Sequence, residues 1–182
     1  MDALSNFNQD LFLQIFNFSR HNPILDFLMV FGAEYLIFLM WFLIFIFALK
    51  GNHKERKSLL LFLISWPILF LIIKFIHLFL FEQRPYIANQ IIPLISYRVT
   101  DASFPSRHAS SSFAMAFAFL YFKSKYGGPL LLLATWVSIS RVYVGVHYPL
   151  DILGGFVIGI LSPLLAQNFL KFTGVFKRTN NL

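Results

Sequence analysis

Arginine, histidine and aspartate residues that could act on a phosphate group lie close together between Ser140 and Asp151. His147 precedes Pro149, which suits the first position of a helix, so Asp151 is expected in that helix's first turn. A carboxylate at this spacing can accept the Nδ1 proton and leave Nε2 free and more nucleophilic. Arg141 is expected to end the preceding helix, where its fork can hold two phosphate oxygens. Considered alone, the pair is also explained by an interfacial histidine beside a helix-capping aspartate.

A second polar group, Phe104–His108, is predicted to begin a helix. Ser106 is placed to cap that helix, and a capped helix start offers free N–H groups and a positive dipole to an anion. His108 follows closely enough to give a proton to an oxygen that leaves phosphorus. Without that chemistry, the segment is a helix start with a serine-rich packing face. We prefer packing for Ser110–Ser112, since small residues favour close helix contact in membranes.

A further arginine, Arg84, stands before Pro85 at the end of a long apolar stretch that also contains His77. The Arg84 guanidinium would provide a second bidentate clamp for phosphate oxygens. An isolated Arg-Pro pair at the end of a membrane span normally marks only a boundary. Its functional interpretation therefore depends on the other two motifs.

The composition indicates that membrane helices position these motifs. Hydrophobic residues make up 58% of the 182 residues and charged residues only 13%, whereas a soluble domain carries about 25% charged residues. We therefore expect an all-α, polytopic bundle of five or six transmembrane helices, forming a single domain over residues 1–182. Residues 4–19 look amphipathic and are expected to lie in the membrane interface or to begin a longer first helix. The spans are predicted at roughly 24–49, 58–81, 108–124, 129–146 and 149–172.

Basic residues cluster between spans 1 and 2, between spans 3 and 4, and after span 5. The positive-inside rule places all three groups in the cytoplasm. With five spans, residues 82–107 and 141–149 then lie together on the outer face, which brings every motif to one side. The N-terminus is expected on that side as well. The basic residues concerned are Lys50, Lys54, Arg56, Lys57, Lys123, Lys125, Lys171, Lys177 and Arg178.

The remaining charges and the lack of cysteine limit the kinds of partner and of metal site that the chain can have. The net charge of +7 suits basic loops that face an anionic membrane surface or substrate, and the spread of basic residues excludes a nucleic-acid-binding face. The absence of cysteine excludes disulfides and thiolate metal sites. No basic segment precedes an apolar core at the N-terminus, so we expect no cleavable signal peptide. Glu34 and Lys74 are expected inside spans, and we predict a structural ion pair between them. The alternative is that Lys74 reaches towards the phosphate.

The three motifs, in this order, resemble the type-2 phosphatidic acid phosphatase family of membrane lipid phosphatases. The family pattern is Lys-x6-Arg-Pro, then Pro-Ser-Gly-His, then Ser-Arg-x5-His-x3-Asp, and the match runs from about residue 77 to residue 151. Two positions depart from it, because His77 stands at the family lysine and Arg107 at the family glycine. A neutral histidine is a weaker anion partner than lysine. Arg107 adds positive charge that can compensate or contact a second phosphate.

The resemblance implies a role for each matching residue. His147 attacks phosphorus and forms a phospho-histidine, while Asp151 orients it. His108 protonates the leaving oxygen and later activates water. The family requires no metal or other cofactor, and we see no further histidine and acid cluster with metal-ligand spacing. The phosphoryl oxygens would be held by Arg84, Arg141, the backbone around Ser106 and Arg107, and His77.

Other stretches resemble the bacterial undecaprenyl diphosphate phosphatases of the bacitracin-resistance type. These stretches are His21–Asp26, Met29–Phe31 with Glu34-Tyr35, and Asp101–Ser106. The resemblance implies hydrolysis of the terminal phosphate of a polyprenyl diphosphate on the outer face of the bacterial cytoplasmic membrane. Lipid A 1-phosphate and phosphatidylglycerophosphate stay open as substrates. The expected partners are a phosphorylated lipid and the bilayer, with no nucleic acid and no obligatory protein partner.

Other functional classes fit less well. A transporter or channel would need paired charges along a path through the bilayer, whereas the charges of this chain cluster at one face. A purely structural membrane subunit has no use for two arginines and two histidines at one depth. Vanadium haloperoxidases share the phosphate-binding pattern, but they are soluble, and the composition excludes them.

Overall fold

The structure, a computed structural model, describes residues 3–96 and 102–172. These residues form helices and no strand, which confirms the expected all-α fold. Asp101, Lys177 and Arg178, which entered the sequence arguments, lie outside the described ranges. The helices are α1 (Ala3–Phe16), α2 (Pro23–Glu34), α3 (Leu36–Lys50), α4 (His53–Phe79), α5 (Pro85–Ala88), α6 (Arg107–Tyr121), α7 (Gly127–Tyr143) and α8 (Pro149–Phe172).

Four of the five predicted spans correspond to single helices whose ends differ by a few residues from the expected positions. With 27 and 24 residues, α4 and α8 are long and apolar enough to cross a membrane, and α2 with α3 would make a third crossing. With 15 and 17 residues, α6 and α7 are shorter than the roughly 20 residues of a typical span. The count of five or six spans therefore stays a prediction.

The first long apolar stretch is broken, so the prediction of one continuous helix over 24–49 is wrong. Helices α2 and α3 meet at an angle of 57° with Tyr35 between them. Hydropathy indicates that a stretch is apolar but carries no signal for a bend inside it. Helix α1 is 14 residues long and is separated from α2 by residues 17–22. It is thus a helix of its own and does not begin the first long one.

Helix α6 packs most extensively against α8 and α7 and also contacts α4. Its side chains at Ser110–Ser112 are buried, as predicted for a packing face. Gly155 of α8 lies so close that a Cβ added there would be 2.8 Å from the Cβ of Ala109. This contact aligns the N-terminal ends of α6 and α8, which carry His108 and Asp151.

The substitution Gly155→Val is expected to destabilise the protein by about 1–3 kcal/mol, the usual range for overpacking. A Cβ at this position would meet Ala109, the carbonyl oxygen of Ser106 at 3.0 Å and the amide nitrogen of Ser110 at 3.1 Å. Gly128→Val is the control, because a Cβ at Gly128 meets nothing within 4 Å. Thermal unfolding in detergent measures both variants. An equal loss of stability in the two would show that helix propensity, and not this contact, is responsible.

The predicted ion pair between Glu34 and Lys74 is wrong. Glu34 ends α2, which packs against α7 and α3, while Lys74 belongs to α4, which packs against α3, α6 and α8. Among the described residues, α2 and α4 do not touch. Lys74 lies on an exposed face near the end of α4. Its aliphatic stem can carry the ammonium group to the membrane surface.

Candidate active site

One end of the bundle gathers the segments that carry the three motifs. Arg84 stands between α4 and α5, and Arg141 lies in the last turn of α7. His108 and Asp151 lie in the first turns of α6 and α8. Because successive long helices run in opposite directions, these ends meet, and hydrogen bonds join the loops between them.

His147 and Asp151 form a buried pair between α7 and α8. The Nδ1 atom of His147 lies 3.1 Å from Oδ2 of Asp151, and the side chains are 2% and 0% exposed. Pro149 begins α8, as predicted, which places Asp151 in the first turn of that helix. The other ring nitrogen, Nε2, lies 3.1 Å from Nη1 of Arg84. An arginine can only donate, so Nε2 accepts and the ring proton is on Nδ1, facing the carboxylate.

The Asp151 carboxylate is oriented by neighbouring donors. Its Oδ2 accepts hydrogen bonds from the Ser103 hydroxyl and from the backbone N–H of Tyr148, the latter at 2.8 Å. The backbone carbonyl of Asp151 accepts from the N–H of Ser106 at 3.1 Å. These contacts tie the loop before α6 to the start of α8, so the second and third motifs are held as one unit.

Arg84 is only 2% exposed and is held by backbone carbonyls. Its Nη1 donates to the carbonyl oxygen of Val146 at 3.1 Å, and its Nη2 lies 3.5 Å from that of Ala102. A buried guanidinium is unfavourable unless it is hydrogen-bonded, so these acceptors stabilise it in place. The result is a fixed cation directly beside Nε2 of His147.

The position of Arg141 depends on the break between α2 and α3. The side chain is 1% exposed, and its Nη1 donates to the carbonyl oxygen of Ala33 at 3.1 Å. Ala33 lies in the last turn of α2, where carbonyl groups lose their intrahelical partners. The bend thus supplies a hydrogen-bond acceptor for Arg141, which is predicted to bind phosphate.

The second motif forms the start of α6. Ser106 is the N-cap residue, and its Oγ accepts a hydrogen bond of 3.5 Å from a backbone N–H of the first turn, as predicted. Arg107 and His108 are the first two residues of the helix. His108 lies within electrostatic range of Arg141 and His147. The structure therefore brings the predicted residues of the second and third motifs together.

Burial and positive charge favour the neutral form of His147. Burial lowers the pKa of His147 well below its usual value of 6.5. The nearby charges of Arg141, Arg84 and Arg107 lower it further. A neutral imidazole with its proton on Nδ1 keeps a lone pair on Nε2, which is the form that a nucleophile requires.

Two more ionisable residues precede Arg84. The structure places His77 in the last turn of α4, partly buried, and its role as a phosphate ligand stays a prediction. Glu82 was not singled out from the sequence. Burial, with a smaller contribution from Asp151, raises the pKa of Glu82 from 4.5 to about 7. Within the described ranges, no three His, Asp or Glu side chains are close enough to share a metal ion.

Helix α1 supports the start of α8. Asn8 is 5% exposed, and its Oδ1 accepts from the backbone N–H of Leu150 at 3.0 Å. Phe12 packs edge-on against Tyr148, with ring centroids 5.3 Å apart. This N-terminal helix therefore stabilises the turn that carries the histidine and aspartate pair, a contact that amphipathicity alone did not predict.

Ser103 is a site residue that the sequence argument did not single out. Its hydroxyl donates to Oδ2 of Asp151 and lies 3.5 Å from Nδ1 of His147. The signals in the sequence are its place just before the Pro105-Ser106 motif and its membership of the stretch Asp101–Ser106 that carries the resemblance. A serine in a loop is otherwise unremarkable, because turns favour it for purely local reasons.

The substitution Ser103→Ala is expected to lower kcat by about tenfold or more, the effect of losing a hydrogen bond to a charged group. KM should change little, because Ser103 contacts Asp151 and the Nδ1 side of His147 and not the phosphate-binding arginines. Steady-state kinetics measures the two constants, and Ser103→Thr, which keeps the hydroxyl, should restore kcat. A fully active, normally folded Ser103→Ala variant would remove Ser103 from the site.

An apolar groove of about 270 Å³ opens beside the start of α6. Helices α3 and α4 form its apolar part, where the rings of Trp41 and Trp66 lie edge to face with centroids 5.7 Å apart. A groove that joins apolar walls to basic and polar groups suits a molecule with an apolar chain and an anionic end. The lining residues are Ile37, Phe38, Trp41, Trp66, Phe70, Arg107, His108 and Ser111.

Known proteins resemble this chain in sequence and in fold. Residues 69–172 match the PAP2 superfamily. Undecaprenyl-diphosphatase BcrC of Bacillus subtilis (strain 168) is 36% identical over 162 residues, which cover 89% of this chain and 83% of that protein. The putative undecaprenyl-diphosphatase YbjG of Escherichia coli (strain K12) is 35% identical over 166 residues, covering 90% and 83%. The crystal structure of Aquifex aeolicus LpxE has the same fold, with a TM-score of 0.64 at 24% identity, covering 89% of this chain and 95% of that one.

These comparisons confirm the family resemblance that the three motifs indicated. The matched region contains all three motifs, and the similarity to the two relatives extends over most of the chain. The apolar helices α4 and α8 embed the protein in a membrane. The chain therefore belongs to the PAP2 superfamily of lipid phosphatases.

Proposed function

We propose that the chain hydrolyses the terminal phosphate of undecaprenyl diphosphate and releases undecaprenyl phosphate. The observation that carries this proposal is the buried His147, whose Nδ1 faces Asp151 and whose Nε2 faces Arg84, each at 3.1 Å. This arrangement supports attack on phosphorus by a ring nitrogen beside a cation. The similarity to two undecaprenyl-diphosphatases over most of the chain supports the choice of lipid.

In the first step, Nε2 of His147 attacks the terminal phosphorus, and an N–P bond forms while the bond to the bridging oxygen breaks. Arg84 turns from Nε2 to a phosphoryl oxygen, which frees the lone pair when substrate binds. Arg141 holds a second oxygen, and the two arginines stabilise the charge of the transition state. Asp151 holds the Nδ1 proton and stabilises the ring as it becomes positively charged.

In the second step, water cleaves the phospho-histidine. His108, which gave its proton to the bridging oxygen as undecaprenyl phosphate left in the first step, now accepts a proton from the attacking water. The products are undecaprenyl phosphate and inorganic phosphate, and His147 is regenerated. Ser106 and the free N–H groups at the start of α6 add donors for the phosphoryl oxygens, and Arg107 contacts the phosphate that stays with the lipid.

The apolar groove supports a lipid chain as the rest of the substrate. It leads from Arg107 and His108 between α3 and α4, where large aromatic side chains line it. A prenyl chain is apolar and flexible, so it can follow these walls while the diphosphate stays at the basic end. The neighbouring exposed faces of both helices are apolar, as contact with the bilayer requires.

We also propose that the site faces the extracytoplasmic side of the bacterial cytoplasmic membrane. The basic residues at the end of α3, the start of α4 and the end of α8 all lie at the opposite end of the bundle, which the positive-inside rule places in the cytoplasm. The chain has no cysteine, so single Ile92→Cys and Arg56→Cys variants can report sidedness. In intact cells, an impermeant maleimide should label only the Ile92→Cys variant. The reverse labelling would place the site inside.

A panel of lipids tests the proposed substrate. Purified protein in detergent is assayed for phosphate release from undecaprenyl diphosphate, lipid A 1-phosphate and phosphatidylglycerophosphate, with EDTA present throughout. We expect the highest kcat/KM for the diphosphate. A higher value for either other lipid would reassign the substrate within the family, and no release from any of the three would reject the proposed reaction.

A further inference from the structure

A large cavity lies at the end of the bundle opposite the candidate active site. Its volume is about 640 Å³, and it is formed by the end of α3, the start of α4 and the loop between α6 and α7. Helix α6 runs between the two ends and is 15 residues long, so roughly 22 Å separate them. The cavity shares no lining residue with the groove beside His108.

The wall of this cavity is strongly basic. Among the described residues that line it, Glu55 is the only acidic one, and both of its carboxylate oxygens already accept hydrogen bonds. Oε1 accepts from the Ser124 hydroxyl and Oε2 from the backbone N–H of Asn52, each at 2.9 Å. The wall therefore has a net positive charge that comes from two separate segments. The lysines concerned are Lys50, Lys54, Lys123 and Lys125.

The cavity is also held in shape by contacts between its segments. Tyr126 lines it and stacks on Phe47, with ring centroids 3.8 Å apart and planes 4° from parallel. The hydrogen bond from Ser124 to Glu55 joins the start of α4 to the loop before α7. Lysines from both segments are thus kept near one another before any ligand binds, which lowers the entropy that binding must overcome.

We propose that this cavity binds a phosphate group, carried by the headgroup of an anionic phospholipid or by a free phosphate ion. Lysine ammonium groups bind phosphate as point charges, and several of them converge on this one concave site. The cavity lies where membrane helices end, at the level of lipid headgroups. Membrane orientation alone requires basic residues at this end of the bundle but requires no cavity and no particular arrangement of them.

Charge-matched variants distinguish specific phosphate binding in the cavity from the general positive charge at this end of the bundle. Lys54→Gln/Lys125→Gln removes two positive charges from the cavity wall. Arg56→Gln/Lys171→Gln removes two from exposed positions at the same end of the bundle, outside the cavity. The two variants therefore have the same net charge, and a general attraction of anionic lipid to this end falls equally in both.

Native mass spectrometry of the purified protein measures retained phosphatidylglycerol against phosphatidylcholine. We expect the wild type and the Arg56→Gln/Lys171→Gln variant to retain phosphatidylglycerol alike, and the Lys54→Gln/Lys125→Gln variant to bind it about tenfold more weakly. Competition with millimolar inorganic phosphate then shows whether the bound phosphate group belongs to a lipid headgroup or to a free ion. Displacement indicates that free phosphate occupies the cavity, and retention indicates a lipid headgroup. Equal binding by the two variants would overturn the proposal, whatever the substrate of the candidate active site.

Discussion

Replacing His147 with alanine is expected to lower kcat by more than about 10⁴-fold, or about 5.4 kcal/mol of transition-state stabilisation. The substitution removes the nitrogen that forms the bond to phosphorus, and no other side chain takes its place between Asp151 and Arg84. Substrate binding should change far less, because the two buried arginines and the start of α6 remain.

Phosphate release from undecaprenyl diphosphate measures this loss, with substrate affinity determined separately. His21→Ala is the matched control, because His21 is an exposed histidine in the loop before α2, away from the buried pair. The control should be as active as the wild type. Residual activity above about 1% in a folded His147→Ala variant would exclude His147 as the nucleophile.

The second large effect is expected at Asp151, whose negative charge and whose orientation of the His147 ring can be tested separately. Asp151→Ala removes both and should lower kcat by about 10⁴-fold, the effect expected when the acid that orients a catalytic histidine is lost. In Asp151→Asn, the donors from Ser103 and Tyr148 favour the amide oxygen at the position of Oδ2. The amide nitrogen then takes the place of Oδ1, which has no hydrogen-bond partner among the described residues. The Nδ1 tautomer is kept and only the negative charge is lost, so we expect a smaller decrease of about 10²–10³-fold.

The difference between these two variants is the informative quantity. Asp10→Asn, at an exposed position of α1, controls for the change of charge at this end of the bundle. Activity of Asp151→Asn equal to that of Asp151→Ala would show that the neighbouring donors do not hold the amide in place. Activity within tenfold of the wild type would show that the carboxylate charge contributes little.

The local geometry that was predicted correctly depends on residues close together in the chain. Pro149 sets the start of α8, and Asp151 then falls in its first turn beside His147. Ser106 as the cap of α6 follows from an equally local rule. In each case the interacting residues are separated by at most about one helical turn, so the local backbone alone determines the geometry.

The features that were missed depend on partners far apart in the chain or on backbone groups. Arg141 donates to the carbonyl oxygen of Ala33, and Arg84 to those of Val146 and Ala102. Every residue has a carbonyl group, so no residue type marks these acceptors in the sequence. The bend after α2 that places the Ala33 acceptor is equally invisible to hydropathy.

The wrong ion pair has a related cause. Counting residues from the end of a span gives the depth of Glu34 and Lys74, but an ion pair also requires that their helices be neighbours. Helix α3 follows the bend and lies against α4, while α2 packs mainly on α7. Depth alone was therefore insufficient to predict whether these two charged side chains are in contact.

The most direct test of the mechanism is to capture the phospho-histidine. In a His108→Ala variant, an aryl phosphate with a good leaving group needs no proton donor, so attack proceeds while hydrolysis of the intermediate slows. We expect a burst in which the concentration of released phenol equals the enzyme concentration. After an alkaline quench, mass spectrometry should then find one phosphate on His147, labile to acid. A burst with the phosphate on another residue, or turnover with no phosphorylated protein at any time, would contradict the account.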